Sequence, residues 1–290
     1  MEFKRRNHGG GHSYWLGDRK VPGVTTILGA GLPKSGLIGW AGSTVAEYVV
    51  DRLTMRDGHI LADDLIRDIR ETAKYPIPSG LPRVKLAKEL SFAPNRDRDT
   101  GALKGQQVHD IARQLAEVGE WTPKPGEEHL EGYADALVDW WHQWDPSGLV
   151  LVERSVLHRS AFYAGTFDLY AEHCGGCGRC LVDYKAGRSG IFGETSLQVA
   201  GYRYAEVYVD DNGDEHPMPA VDRCLGVWLR PDGTHETYPL DAGPDEFRVF
   251  RYAYELAKWL VGPELFKLEG DPPVRLVKGE PIFPTAQAAS

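Results

Sequence analysis

Residues 162–185 hold two strand-like runs joined by a short turn, and their pairing constrains everything around them. The first run, 162–172, is rich in aromatic and small apolar residues, which suit a pleated, half-buried surface. The second, 179–185, reads as its partner strand. Side chains on a strand point to opposite faces in turn. Asp168 should therefore share a face with Thr166 and Tyr170, and Asp183 with Lys185, while Val182 and Tyr184 take the other side. Pairing the runs puts two carboxylates and an ammonium side by side. On its own, an Asp-x-Lys triplet equally describes a cross-strand salt bridge, which stabilises little when exposed.

Two carboxylates in close company suit a hard divalent cation, which takes a few protein oxygens and leaves its remaining positions to water or substrate phosphate. A lysine beside them can orient or deprotonate a water whose pKa the cation has lowered. After Lys185 comes the turn-forming run 186–190, then 194–209 with helical periodicity in Leu197, Ala200, Gly201, Ala205 and Tyr208. Gln198 and Tyr202 are four apart and so share a helix face. Upstream, a helix over 103–118 buries a stripe of Val108, Ile111, Ala112 and Leu115, with His109 beside it. A histidine there is more often a packed, hydrogen-bonded side chain than a ligand.

The G-x-x-D run at Gly165 to Asp168, Asp183-x-Lys185, and the helix carrying Gln198 and Tyr202 together resemble the RecB-type and phage-type exonuclease branch of the PD-(D/E)XK nuclease superfamily. Phe167 stands where that family often has proline. Gly105 to His109 fits the branch's G-x-x-x-H helix, and residues 14–40, with Val21-Pro22-Gly23-Val24-Thr25-Thr26, resemble the opening of its phage-encoded members. The resemblance implies a metal-dependent deoxyribonuclease acting at DNA ends to leave 5'-phosphates, in recombination, replication or repair. A CRISPR-adaptation nuclease of the same superfamily would share these residues. Asp168, Asp183, Lys185, Gln198 and Tyr202 would be catalytic, and His109, Asp168, Asp183 and the Tyr184 backbone carbonyl would hold one or two magnesium or manganese ions. Glu153, on a β-rich run over 149–157, matches an acid often seen on the first core strand, or else is a strand-end charge facing solvent or pairing with Arg159. A single-strand annealing protein would be a fitting partner besides DNA.

The cysteines raise a second metal question. Cys174 and Cys177 have the glycine-bearing spacing of half a zinc knuckle, which Cys180, Cys224 or His173 could complete. The alternatives are reduced turn cysteines or a disulfide. A noncatalytic zinc-knuckle protein binding nucleic acid is the competing reading. Relatives with an iron–sulfur cluster carry cysteines ahead of the histidine helix and near the C-terminus; those places hold none here, so no cluster is expected.

A formal net charge of -9 is awkward for a nucleic-acid enzyme, since phosphate binding favours a basic surface. Local cations must carry the contact, and Arg96, Arg98, Lys104, Arg188 and Arg203 are the candidates. No run approaches a membrane span and no signal-like segment opens the chain, which points to the cytoplasm, the host's if the protein is phage-encoded. The expected architecture is α/β: a central mixed sheet flanked by helices in the order αβββαβ. Its core should span 99–262, after an N-terminal hairpin and mostly helical region at 1–98 and before a tail at 263–290. The hairpin is expected at 14–16 and 21–24, followed by a helix near 35–53, with two later strands at 223–229 and 235–240 and a closing helix from Pro244.

Overall fold

The computed structural model describes residues 1–8, 11–32, 41–47, 92–187 and 190–262. Most of the helix expected near 35–53, and all of 263–290, lie outside those residues; 41–47 are helical. Three N-terminal strands, β1 (Phe3–His8), β2 (Gly11–Leu16) and β3 (Arg19–Val21), form an antiparallel meander. Here the expected hairpin gains a first strand, because Phe3 pairs with Leu16 and turns inward against Tyr14. Gly17, at φ +61°, makes the β2–β3 turn in a conformation that suits glycine.

Next comes helix α1 (Val24–Gly31), where the sequence reading had ended a strand. Val24, Ile27 and Leu28 recur at helical spacing and are buried, so helical burial outweighs the strand preference of Val24 and its two threonines. Helix α2 (Ala93–Val118) begins ten residues ahead of the expected Leu103 and ends on Gly119 in the left-handed conformation. Its buried stripe is the expected Val108, Ile111, Ala112 and Leu115. A short 3-10 turn leads into α3 (Glu131–Trp144).

The core then runs β4 (Ser147–His158), β5 (Tyr163–His173), β6 (Cys180–Lys185), α4 (Glu194–Arg203), β7 (Val207–Val209), β8 (Glu215–Pro217), β9 (Arg223–Leu229), β10 (His235–Leu240) and α5 (Pro244–Val261). Helix α4 stops at Arg203, and Tyr208 belongs to β7, not to the helix. Tyr208 instead pairs with Val156 of β4, and that edge pairing ends the helical reading.

The seven strands form one mixed sheet in the order β10-β9-β6-β5-β4-β7-β8, in which β6 and β9 are parallel and their neighbours antiparallel. Helices cover both faces, as a sheet with a parallel pair requires. On one face α2 and α3 bury Val108, Leu137 and Trp140 against Leu169, Val182 and Tyr184; on the other α1, α4 and α5 bury Ile27, Val199 and Phe250 against Phe167 and Leu181. The meander caps one end, packing Tyr14 and Val21 on Leu157 and Ala164. Among the described residues, no helix is long and apolar enough to cross a membrane.

Candidate metal centre

Strands β5 and β6 pair only from Leu169–Val182 to Ala171–Cys180; beyond that point, at Asp168 and Asp183, they separate. The missing ladder bond is replaced by a side chain: the Tyr184 amide donates to Asp168 Oδ2 at 2.6 Å. On the other flank of β5, Glu153 stands opposite Asp168, between the pairs Arg154–Phe167 and Val152–Leu169, with φ +52°. A non-glycine residue in that region is strained, and such strain concentrates at functional sites. Strict alternation also fails here. Phe167 packs in the α1–α4–α5 layer while Leu169, two residues on, packs in the α2–α3 layer. Asp168 reaches α2 through His109 and β6 through the Tyr184 amide.

His109, from α2, comes over this split. Its Nδ1 lies 3.0 Å from Glu153 Oε1 and 3.3 Å from Asp168 Oδ1. Donor atoms of His109, Glu153 and Asp168 all fall within 4.8 Å of one another, close enough to share one ion. Asp183 lies beside this trio but is engaged elsewhere: Lys185 Nζ is 2.6 Å from its Oδ2, and Gln198 donates Nε2–H to its Oδ1 at 3.0 Å. Gln198 also accepts from Lys185 at 3.3 Å and contacts the Tyr202 hydroxyl at 3.0 Å. All five catalytic candidates and the histidine thus gather at the β5–β6 split. Tyr184 enters through its amide, and its position on β6 pairs with Val227.

Burial opposes charge on every acid here, and neighbours decide which one ionises. For Asp168, burial is outweighed by the His109 cation and its hydrogen bond, by Lys185 and by the Tyr184 amide, which hold its pKa below the ordinary value. Asp183 goes the other way: burial and the Asp168 charge exceed the pull of Lys185 and push it up to about 6. Burial likewise raises Glu153 despite its bond to His109. His109 would be neutralised by burial, but Asp168 and Glu153 raise it well above the usual imidazole value. Lys185 is also held charged, by Asp183 and Asp168 against burial. Carboxylates crowded this closely around one imidazole form a donor set suited to a divalent cation, which on binding would displace the imidazole proton.

Several expectations need correction. Glu153 neither faces solvent nor pairs with Arg159, which is bound to Glu215; the φ +52° backbone turns Glu153 toward His109. The four cysteines do not all converge: the Cys174 and Cys180 thiols meet, with Cys177 near them, but Cys224 stands apart. Cys174, Cys177 and Cys180 pack on the α2–α3 face, whereas Cys224 lies in the core of the opposite face, because its register partner is Leu181 and not Cys180. All four are free thiols. Arg203 is not a strand-binding cation: its guanidinium donates to the Val221 and Ala242 carbonyls at 2.8 and 3.2 Å, tying α4 to the loops before β9 and α5. Lys104 donates to the Tyr133 hydroxyl at 3.1 Å and sits over that ring. The side chains of Arg96 and Arg98, and Arg188 entirely, lie outside the described residues.

With the geometry in place, comparison with known proteins adds nothing. Neither a family model nor a curated protein matches this chain.

No local sequence signal marks how the meander joins the site. The Pro22 carbonyl accepts from the Ala164 amide at 3.0 Å, and Gly23 bridges to Ala164, so the meander covers the part of β5 that β6 does not reach. Tyr14 then bonds Thr166 at 2.8 Å, two residues from Asp168. The tyrosine at 14 was visible in sequence, but its target lies 152 residues away. Gly165 is required by close approach: a Cβ there would sit 2.5 Å from Tyr202 Cε1 and 3.2 Å from Val24 Cγ2. Gly165→Ala should push the Tyr202 ring away from Gln198 at a cost of about 1–3 kcal/mol. A urea melt should show that loss, and an unchanged midpoint would contradict the packing described.

Proposed function

We propose that this protein is a metal-dependent deoxyribonuclease of the PD-(D/E)XK type, hydrolysing phosphodiester bonds at DNA ends. The observation that carries this reading is the gathering of Asp168, Glu153 and His109 with the Asp183–Lys185–Gln198 set where β5 and β6 part. The order α2/α3, β4–β5–β6, α4, β9, with β6 and β9 parallel, also agrees with the restriction-endonuclease-like core expected of that superfamily.

His109, Glu153 and Asp168 would hold magnesium or manganese, with Asp183 fixed beside them by Lys185 and Gln198. The cation, when bound, supplies Lewis-acid polarisation of the scissile phosphate and favours hydroxide over water. Everything else falls to this chain's own side chains. Lys185, charged and anchored by Asp183 and Gln198, is placed to position the nucleophilic water and to offset charge growing on the phosphate. An ammonium that its neighbours keep protonated is a donor, not a base. Gln198 fixes the lysine and the aspartate together, and Tyr202 fixes Gln198. Attack of water on phosphorus with departure of the 3'-oxygen, which takes up a proton, leaves a 5'-phosphate and a 3'-hydroxyl. End-dependence, and a recombination partner that anneals single strands, follow from the family likeness, and substrate assays separate them from CRISPR-adaptation or repair roles.

The test is a gel of end-labelled linear DNA and covalently closed DNA with magnesium or with excess chelator. Linear DNA should shorten only with the metal, and the closed circle should persist. Hydrolysis that survives chelation, or no hydrolysis of either DNA with magnesium or manganese, would overturn the reading.

A further inference from the structure

A cavity of about 380 Å³ lies between the β1–β2 hairpin and α2, lined by Arg5, His8, His12, Gln106, Arg113 and Glu153 among others. Because Glu153 also belongs to the donor trio, the cavity opens directly beside the metal centre. A relay of hydrogen bonds fixes its far wall to the core. Arg5 Nη2 donates to His12 Nδ1 at 3.4 Å, His12 Nε2 meets the Tyr14 hydroxyl at 2.7 Å, and Tyr14 meets Thr166. A histidine that accepts at one nitrogen and donates at the other is neutral, and burial with Arg5 nearby lowers its pKa to about 4.

The positive charge in this wall therefore rests on Arg5, and it is poorly satisfied. Its Nε is buried without a hydrogen-bond partner, and Nη2 makes only the long bond to a neutral ring. Among the described residues no carboxylate pairs with it at ion-pair distance; Arg113, across the cavity, is already held by Asp110 at 3.0 Å. A guanidinium whose charge is met only at a distance by Glu153, and whose buried Nε has no acceptor, can take a further anion, and a phosphate is the anion whose geometry its fork matches.

We infer that Arg5, held by His12 and Tyr14, binds a backbone phosphate of the DNA strand flanking the one to be cleaved, so that the N-terminal hairpin is one wall of the substrate cleft. This rests on the nuclease reading of the adjacent site. It also bears on the net-charge problem, since a cation with a buried, unfilled donor next to the metal centre acts where the phosphates must lie, whatever the total of -9.

The experiment is steady-state cleavage of linear DNA with magnesium by the full chain and its Arg5→Gln and Arg5→Lys variants over a range of salt, with manganese binding measured by calorimetry. Arg5→Gln should raise KM about tenfold with kcat within about twofold, and should lower the slope of log KM against log salt by about one. Arg5→Lys should keep the slope, as a point charge does, with a smaller rise in KM. Manganese affinity should match the parent in both. An Arg5→Gln protein with parental KM and salt slope overturns the inference, as does one that loses manganese binding and kcat together, which would make Arg5 a prop for the fold. A parent without magnesium-dependent cleavage overturns the nuclease reading as well; a cleaving parent with an indifferent Arg5→Gln overturns only this.

Discussion

Asp168→Asn should lower magnesium-dependent DNA cleavage by about a thousandfold and abolish most manganese binding, with the fold intact. The substitution is nearly isosteric, and its amide oxygen can still accept from the Tyr184 amide, the bond that Asp168 Oδ2 makes at 2.6 Å. What it removes is charge. Asp168 is the one acid of the three whose neighbours hold it below the ordinary carboxylate range. A cation contributes several kcal/mol of charge stabilisation to phosphoryl hydrolysis, and each ~1.4 kcal/mol is tenfold in rate, so losing its best-ionised ligand costs about three powers of ten. Calorimetry with manganese and a thermal melt separate the loss of the ion from loss of structure. Near-parental cleavage by this variant would show that Asp168 is not part of a metal-dependent centre.

Lys185→Ala should cost about a hundred- to a thousandfold in kcat while sparing manganese binding. Its ammonium is not a metal donor, so the ion should still be held by His109, Glu153 and Asp168. Two further consequences follow from geometry. Asp183 loses the cation 2.6 Å from Oδ2, and its pKa, already pushed up to about 6 by burial, rises further, so Asp183 is protonated across more of the working range. Gln198 loses its donor and keeps only Asp183 and Tyr202. Lys185→Arg should not rescue, because a planar fork cannot replace a compact ammonium between Asp183 and Gln198. Single-turnover rates at saturating metal test this, and a Lys185→Ala rate near the parent's would remove the lysine from the mechanism.

The opposite signatures expected of these two variants, one losing the ion and the other only the rate, reflect how the site is divided. One half is a donor trio from three elements, α2, β4 and β5. The other is a local network within β6 and α4, whose members lie at most 19 residues apart in the chain, from Asp183 to Tyr202. The second half was legible in the sequence because its geometry is local: a strand places Asp183 and Lys185 on one face, and a helix places Gln198 and Tyr202 on another. The first was only partly legible. His109 was visible as a residue beside a buried stripe, yet its partners lie 44 and 59 residues further on. Glu153 could not be chosen from alternation at all, because its backbone leaves the strand conformation.

The same division explains the errors elsewhere. The helix over 194–209 was drawn too long because periodic apolar residues continue into β7, where an edge pairing with β4 decides the conformation. Arg203 is a candidate for phosphate contact by sequence, and only the loops packed over it reveal the two carbonyls it serves. The turn cysteines do gather, Cys174 against Cys180, and only the parallel register of β6 and β9 shows that Cys224 lies on the other face of the sheet.

By itself, then, the order of residues determined the longer strands and helices of the core, though not the short strands β7 and β8 at one edge, and which acid, base and amide groups travel together, since hydrophobic period and i to i+2 or i+4 spacing act over a few residues. Tertiary structure alone decided that Glu153 completes a donor trio, that the meander closes over β5, and that Arg5 lines the cavity beside that trio with a buried Nε that finds no acceptor among the described residues. Those outcomes depend on where distant backbone is placed, on the parting of β5 from β6 and on a strained residue, and no local periodicity encodes them.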